Sequence, residues 1–362
     1  MSTQPGPIVL LGSGETAPHA QKIYHTLFSA LATQVRVAIL ETPAGFEPNS
    51  DYVAGQIKQY LHKRLQNFRP EVTVIPARKR GTPYSPDDPD LLQPLYDANV
   101  ILMGPGSPTY AVRQLQQTFA WHAMRARHRQ GAALVFASAA TLAMSRFTMP
   151  VYEIYKVGED LHWKEGLDFF GDYGLSVIFV SHWNNKDGGD VLDTSRCYLG
   201  QDRFERLLEM LPPDEERRIV GIDESTALII EPATGACRVL GAGTVTIQQG
   251  NQVQIIEGGE TFPMTLLGEL KLPAHQDGIP EPIWVQLQER VAEAEKARAA
   301  TPKPDAAVLA LTKQRTAARR RRDWSAADRL RDEIADLGWR VVDTPEGPQL
   351  EPMDGTRDLS PS

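Results

Sequence analysis

The residues best suited to chemistry lie in Leu134-Val135-Phe136-Ala137-Ser138-Ala139-Ala140-Thr141-Leu142-Ala143-Met144, an apolar run that passes through a serine into a run of small residues. Strand, sharp turn and helix in that order make the layout of a nucleophile elbow. Such a turn lifts the serine hydroxyl above a sheet and leaves backbone N–H groups of the helix's first turn to stabilise an oxyanion. The usual Gly-x-Ser-x-Gly pattern keeps the flanking positions small, and here they are Phe136 and Ala140. A serine that simply caps a buried helix gives the same string. A nucleophilic serine needs a base. Of the 8 histidines, His182 directly follows an apolar run in Val180-Ser181-His182-Trp183, whereas His25, His62, His122 and His128 fall within helical stretches and read as surface or packing residues. A carboxylate must then orient the imidazole. Between the two the candidates are Glu153, Glu159, Asp160 and Glu165; Glu159 is preferred, though spacing alone does not decide among them.

Two glycine-rich turns, Gly12-Ser13-Gly14-Glu15-Thr16 and Gly104-Pro105-Gly106-Ser107-Pro108, also follow apolar runs. Their amides are expected to face the same crevice, which makes Gly14, Gly106, Ser107 and Ala139 candidate oxyanion or substrate contacts. Arg196 is the candidate partner for an acidic substrate group. Salt bridges and turn caps explain Asp193-Thr194-Ser195-Arg196 and Asp223-Glu224-Ser225-Thr226-Ala227 equally well. Neither glycine turn has the Gly-Lys-Ser/Thr of a P-loop or the Gly-x-Gly-x-x-Gly of a dinucleotide fingerprint. No organic cofactor is implied. Cys197 and Cys237 are too few and too far apart for a disulfide framework or a thiolate metal site, so no metal is expected and both read as free thiols in a reducing compartment.

These residues need a frame. Apolar runs at Ile8 to Leu11, Val35 to Leu40, Val72 to Ile75, Val100 to Met103, Ala133 to Phe136 and Leu175 to Val180 alternate with amphipathic stretches at Ala20 to Thr33, Ser50 to Gln66 and Thr109 to Gln130. The alternation predicts an α/β fold, a doubly wound and mostly parallel sheet with flanking helices whose ligands bind at the C-terminal ends of the strands. From Arg218 to Gly259 short alternating segments predict an antiparallel β extension on the sheet edge. The domain boundaries read as 1–265 for the α/β domain, 266–304 for a linker with one helix near 282–299, 305–352 for a small helical and hairpin module, and 353–362 for a disordered tail. In the module Ser325 is the expected N-cap of the second helix and Gly338 its stop.

The whole chain has 362 residues and a formal charge of -8, which argues against general electrostatic binding of nucleic acid. The local exception is Arg315 with Arg319, Arg320, Arg321 and Arg322, a patch suited to RNA phosphates whose bland reading is a solvated helix face. The N-terminus lacks the features of a secretion signal, and no run approaches the 18 to 20 apolar residues of a spanning helix, so a cytoplasmic protein without membrane contact is expected. The oligomeric state stays open, a homo-oligomer included.

Taken together, Gly104 to Ser107, Ala137 to Ala140, Val157-Gly158-Glu159, Val180-Ser181-His182-Trp183 and Gly221 to Ala227 resemble motifs of the cyanophycinase and dipeptidase E family of serine peptidases, which have a class I glutamine-amidotransferase-like fold. The resemblance covers roughly Pro7 to Pro263, and Gly221 to Ala227 is its closest match. It implies Ser138 as nucleophile, His182 as general base and Glu159 as orienting partner. Residues Leu311 to Pro352 resemble the C-terminal module of cysteinyl-tRNA synthetases, through Gln314-Arg315, Asp323-Trp324-Ser325, Ala327-Asp328, Leu337-Gly338 and Asp343 to Gly347. The synthetase's His-x-Gly-His and Lys-Met-Ser-Lys-Ser motifs and zinc cysteines are missing, which excludes aminoacylation. Two functions are therefore expected in competition. One is a serine hydrolase cleaving a small peptide or amide through an acyl-enzyme on Ser138. The other is a catalytically degenerate ligand-binding protein whose C-terminal module binds tRNA or a translation partner. Glutamine amidotransfer ranks last, because it needs a cysteine nucleophile.

Overall fold

A computed structural model describes residues 4–212, 218–300, 302, 304–344 and 347–353. The tail expected over 353–362 lies outside them from 354 onward. The chain divides into two compact units, Met1–Ala294 and Glu295–Ser362.

In the first unit the strands are β1 (Ile8–Leu11), β2 (Arg36–Leu40), β3 (Glu71–Ile75), β4 (Val100–Met103), β5 (Ala133–Ala137), β6 (Phe147–Thr148), β7 (Lys164–Glu165), β8 (Val177–Val180), β9 (Arg218–Ile222), β10 (Thr226–Glu231), β11 (Ala236–Gly241), β12 (Val245–Gln249), β13 (Gln252–Ile256) and β14 (Thr261–Pro263). Its helices are α1 (Ala20–Ser29), α2 (Ser50–Arg64), α3 (Gln93–Asp97), α4 (Pro108–Leu115), α5 (Phe119–Arg129), α6 (Ala139–Ala143), α7 (Gln201–Glu209) and α8 (Glu281–Ala300), the last running across the division between the units.

Among the described residues the main sheet has the order β14-β11-β10-β1-β5-β4-β2-β3. Strands β1, β5, β4, β2 and β3 are mutually parallel, and β10, β11 and β14 extend the sheet antiparallel from β1. The central strands are apolar at nearly every position because helices cover both faces. Along β5, Leu134 and Phe136 enter one core with Met103 and Phe169, while Val135 and Ala137 enter the other with Ile23 and Ile57. The fold class is thus the one that the alternation of elements predicts.

Three local expectations are corrected. The helix expected over 109–130 is two helices. Gln117 takes a left-handed φ of 62°, and Thr118 then caps α5 by accepting from Trp121 N. The run ending at Val180 does not join the main sheet, because β10 occupies the place beside β1 (Ile8 opposite Ile230). Instead β8 pairs in parallel with β9 in a second sheet of order β13-β12-β9-β8, and the expected antiparallel extension is shared between the two sheets. The segment expected as linker begins by packing into the first unit: Ile279, Leu287 and Val291 are buried in its core, and Arg125 and Arg129 hold the carbonyls of Gly278 and Asp277 while pairing with Asp172.

The second unit contains α9 (Ala306–Arg320), α10 (Trp324–Asp336) and the hairpin β15 (Trp339–Thr344) with β16 (Gly347–Pro352), around Val308, Ile334 and Trp339. Asp323 rather than Ser325 caps α10, accepting from Ala326 N, so the helix begins two residues early. Gly338, with φ of 83°, follows its end. Residues 345 and 346 of the turn expected from the sequence lie outside the described residues. No helix among the described residues is long and apolar enough to cross a membrane.

Candidate active site

Ser138 stands between β5 and α6 with φ of 54° and ψ of -111°, a conformation rare for any residue with a side chain. Its cost is of order 1–3 kcal/mol. Short bonds on both sides hold it there: Ser138 N donates to Leu11 O at 3.1 Å, and Thr141 Oγ1 lies 2.9 Å from both Leu11 O and Phe136 O. Phe136 is fully buried, pointing down into the core against Phe169, so its bulk does not crowd the turn. Ala139 is the first residue of α6, and its N–H has no intrahelical acceptor.

His182 reaches the serine from the second sheet. Its N donates to Gly12 O at 3.2 Å and Trp183 N donates to Ile222 O at 3.1 Å, which joins the loop after β8 to the ends of β1 and β9. Trp183 lies against Gly221, where a Cβ would come within 2.1 Å of the indole, so no larger residue fits there without displacing it. The imidazole Nε2 is 2.9 Å from Ser138 Oγ, and Nδ1 is 2.7 Å from an oxygen of Glu224. The carboxylate accepts only, so Nδ1 carries the proton and Nε2 is left to accept from the serine hydroxyl. Glu224 is held in turn by Asn185 Nδ2 at 2.9 Å, while its own N donates to Asn184 Oδ1 at 2.9 Å. The hydrogen bond to His182 holds the Glu224 carboxyl below the usual carboxylate range; partial burial opposes this, and Asn185 reinforces it.

The carboxylate is therefore Glu224 and not Glu159. Glu159 lies in the loop after a π-helical turn over Tyr152–Val157, with its side chain 48% exposed and 3.8 Å from His162. The carboxylate at the imidazole does not lie between serine and histidine in the chain; it comes after both, in the turn from β9 to β10. The signal was available: Glu224 is inside the Gly221 to Ala227 segment. Its neighbour Asp223 faces the other way and fixes that turn, accepting from Thr244 N at 2.8 Å. Asn184 and Asn185, which sequence reasoning did not single out, belong to the stretch just after His182.

A cavity of about 460 Å³ opens beside Ser138 and His182, lined also by Gly106 and Ala139. Gly106 is required there: its φ is 145°, and a Cβ would come within 2.0 Å of Pro43 O. The other expected contacts lie elsewhere. Gly14 packs beside Ser225 and does not line this cavity. Ser107 caps α4 and lines a neighbouring cavity of about 590 Å³. Arg196 is stacked 3.8 Å over the Trp183 ring and donates to Trp183 O at 3.1 Å, outside the lining.

Arg196 begins an unusual turn, since Arg196, Cys197 and Tyr198 are all left-handed, with φ of 54°, 58° and 70°. For residues with side chains this costs roughly 1–2 kcal/mol each. Bonds from Arg196 N to Trp183 O, Cys197 N to His182 O and Tyr198 N to Thr194 O offset it, at 2.9, 3.1 and 2.9 Å. The turn brings the Tyr198 ring to 5.3 Å from the His182 ring. Cys197 lines the cavity, but burial pushes its thiol up to about 12, leaving it protonated and a poor nucleophile. Among the described residues no group of three or more His, Cys, Asp or Glu side chains is placed to hold a metal ion.

In the second unit the basic residues separate into two kinds. Arg315 is buried and makes a two-pronged pair with Asp343, both contacts at 2.8 Å, and Arg319 joins the same carboxylate at 2.9 Å. Arg315 thus holds α9 to β15, and its assignment as an RNA contact is corrected by that burial. Arg320, Arg321 and Arg322 are exposed at the end of α9.

Comparison with known proteins bears on both units. Residues 301–349 match the family described as the cysteinyl-tRNA ligase anticodon binding domain. A segment of 43 residues is 51% identical to cysteine–tRNA ligase 1 of Burkholderia lata, and it spans 12% of this chain and only 9% of that ligase. The crystal structure of a peptidase from an acI-B1 actinobacterium superimposes with a TM-score of 0.57 and 23% identity, covering 72% of this chain and 98% of that one. This last likeness is one of fold: the larger part of the chain has a peptidase-like fold.

Proposed function

We propose that the first unit is a serine hydrolase of the cyanophycinase and dipeptidase E type, cleaving a small peptide or amide through an acyl-enzyme on Ser138. The observation that carries this reading is the unbroken chain from Ser138 Oγ through His182 to Glu224, at 2.9 and 2.7 Å, facing a cavity of about 460 Å³. Ser138 Oγ attacks the carbonyl carbon as its proton passes to His182 Nε2, and the carbonyl π electrons move onto oxygen. The N–H of Ala139, with the backbone at Gly106, stabilises that oxyanion. Collapse breaks the C–N bond, and His182 returns the proton to the leaving amine. Water then attacks the ester with His182 as base, releasing the acid and restoring Ser138. Glu224 keeps the imidazole in the accepting tautomer and stabilises the imidazolium. A cytoplasmic location belongs to the same reading, supported by two buried free cysteines.

Intact-mass analysis after treatment with a fluorophosphonate tests it. One adduct on the wild type and none on Ser138→Ala is the expected result. An unlabelled wild-type protein contradicts the reading and favours a binding domain that has lost its catalysis.

A second activity, RNA contact through the second unit, is favoured by the match of 301–349 to an anticodon binding domain and by exposed Arg320, Arg321 and Arg322. Replacing these three by alanine in the full chain is expected to weaken tRNA binding and to reduce the salt slope by about 2 to 3, one per lost phosphate contact. An unchanged slope contradicts that contact.

A further inference from the structure

Two stretches of backbone stabilise the proposed oxyanion, and they are held differently. Ala139 is fixed by the turn into α6, whereas Gly106 sits in the loop between β4 and α4 and depends on what it rests against. Its support is a single 3₁₀ turn over Thr42–Ala44, just after β2. Ser107 N donates to Pro43 O at 2.9 Å, and Gly106 lies so close that a Cβ would come within 2.0 Å of that same oxygen. Any displacement of Pro43 is therefore passed to Gly106.

Glu41 and Arg78 anchor that turn. Glu41 precedes it and is buried, and its Oε2 accepts from Arg78 Nε at 2.6 Å and from Ser50 Oγ at 3.0 Å. Thr42 Oγ1 donates to Ala77 O at 2.6 Å, and Gly45 packs on the Arg78 backbone, where a Cβ would come within 2.6 Å of Arg78 O. The same carbonyl accepts from Tyr110 Oη at 2.9 Å, so the chain after β3 grips both the turn and α4, which flank Gly106. A buried ion pair is weak evidence of stabilisation, because desolvation of the two charges cancels much of their attraction. What this one supplies is geometry, through a short charge-assisted bond. Neither side chain lines the cavity beside Ser138, so neither is placed to touch a substrate there.

Resting on the reading of Ser138 as nucleophile, we infer that Glu41 and Arg78 are positioning residues for that reaction. Their pair sets the turn Thr42–Ala44, and through Pro43 it sets the distance from the Gly106 backbone to the oxyanion. Donors act there at about 2.7–3.1 Å, and a misplacement of about 1 Å costs on the order of 10²-fold in rate.

A fluorophosphonate tests this without a known substrate. Ser138 Oγ displaces fluoride from phosphorus, its proton passes to His182, and negative charge grows on the phosphoryl oxygen, so the labelling rate responds to the same stabilisation. Inactivation of the full chain is followed by intact mass for the wild type, Glu41→Gln, Arg78→Ala and the double variant. Glutamine keeps the shape of Glu41 and still accepts from Ser50, while the charge that pairs with Arg78 is removed. In each variant kinact is expected to fall about 10²-fold, with KI within a factor of about two and labelling still running to completion. The double variant is expected to match Glu41→Gln, because either change breaks the one pair. An unchanged kinact overturns the inference. So does a loss confined to the final extent of labelling, which is what a smaller folded fraction alone produces, and so do losses that multiply in the double variant. In all three cases the hydrolase reading survives, whereas a wild type not labelled on Ser138 overturns both.

Discussion

Replacement of Ser138 by alanine is expected to lower kcat by on the order of 10⁴- to 10⁶-fold on any substrate the protein turns over, and His182→Ala is expected to cost about as much. The two side chains act as one device. Once the serine oxygen is gone, the imidazole at 2.9 Å has no proton to take, and once the imidazole is gone the hydroxyl stays protonated. The double variant should accordingly be no worse than either single one. Steady-state kinetics on the three proteins measure this. Additive losses would mean that the two residues serve separate steps.

Replacement of Glu224 by glutamine is expected to lower kcat by about 10³- to 10⁴-fold, while Glu159→Ala leaves it within a factor of two or so, as for a solvated surface charge. Glutamine keeps the shape but lets the side chain donate to Nδ1, which moves the proton to Nε2 and removes the acceptor that the serine needs. The pH dependence has a defined sign. Glu224 is held below the ordinary carboxylate range by its bond to His182, so the carboxylate stays charged as pH falls through that range, and its own protonation removes activity only below it. An inhibition that Glu224→Gln shifts upward in pH, or a large effect of Glu159→Ala, would put the carboxylate elsewhere.

Much of this site was legible in the sequence, and the misses have physical reasons. Ser138 is marked by a local pattern, an apolar strand running straight into small residues, and the local backbone carries that pattern into three dimensions. His182 is marked in the same way by the run that precedes it. Glu224 is marked too, by the Gly221 to Ala227 segment, but nothing local ties it to His182: what brings it to the imidazole is the pairing of β8 with β9, a contact between strands separated by some forty residues in the chain. The doubled sheet was hidden for the same reason: whether the run ending at Val180 pairs with β1 or with β9 depends on which other strand fills the place beside β1, and β10 fills it. The departure at Phe136 looked harmful only in one dimension. Alternation along β5 sends that ring into the core and leaves the turn clear. Arg196 and Arg315 mislead in the opposite sense: each looks like a surface cation in the sequence, and each is held by a partner, the Trp183 ring in one case and the Asp343 carboxylate in the other.

The most direct test of the account is the covalent intermediate itself. The full-length protein is mixed with a slowly deacylating amide or ester, quenched in acid and mapped by peptide mass spectrometry. The account predicts an acyl mass on the peptide containing Ser138, formed at the rate of leaving-group release and reduced in parallel with kcat by Glu224→Gln. Turnover that proceeds with no acyl group on Ser138, or with one on another residue, contradicts it.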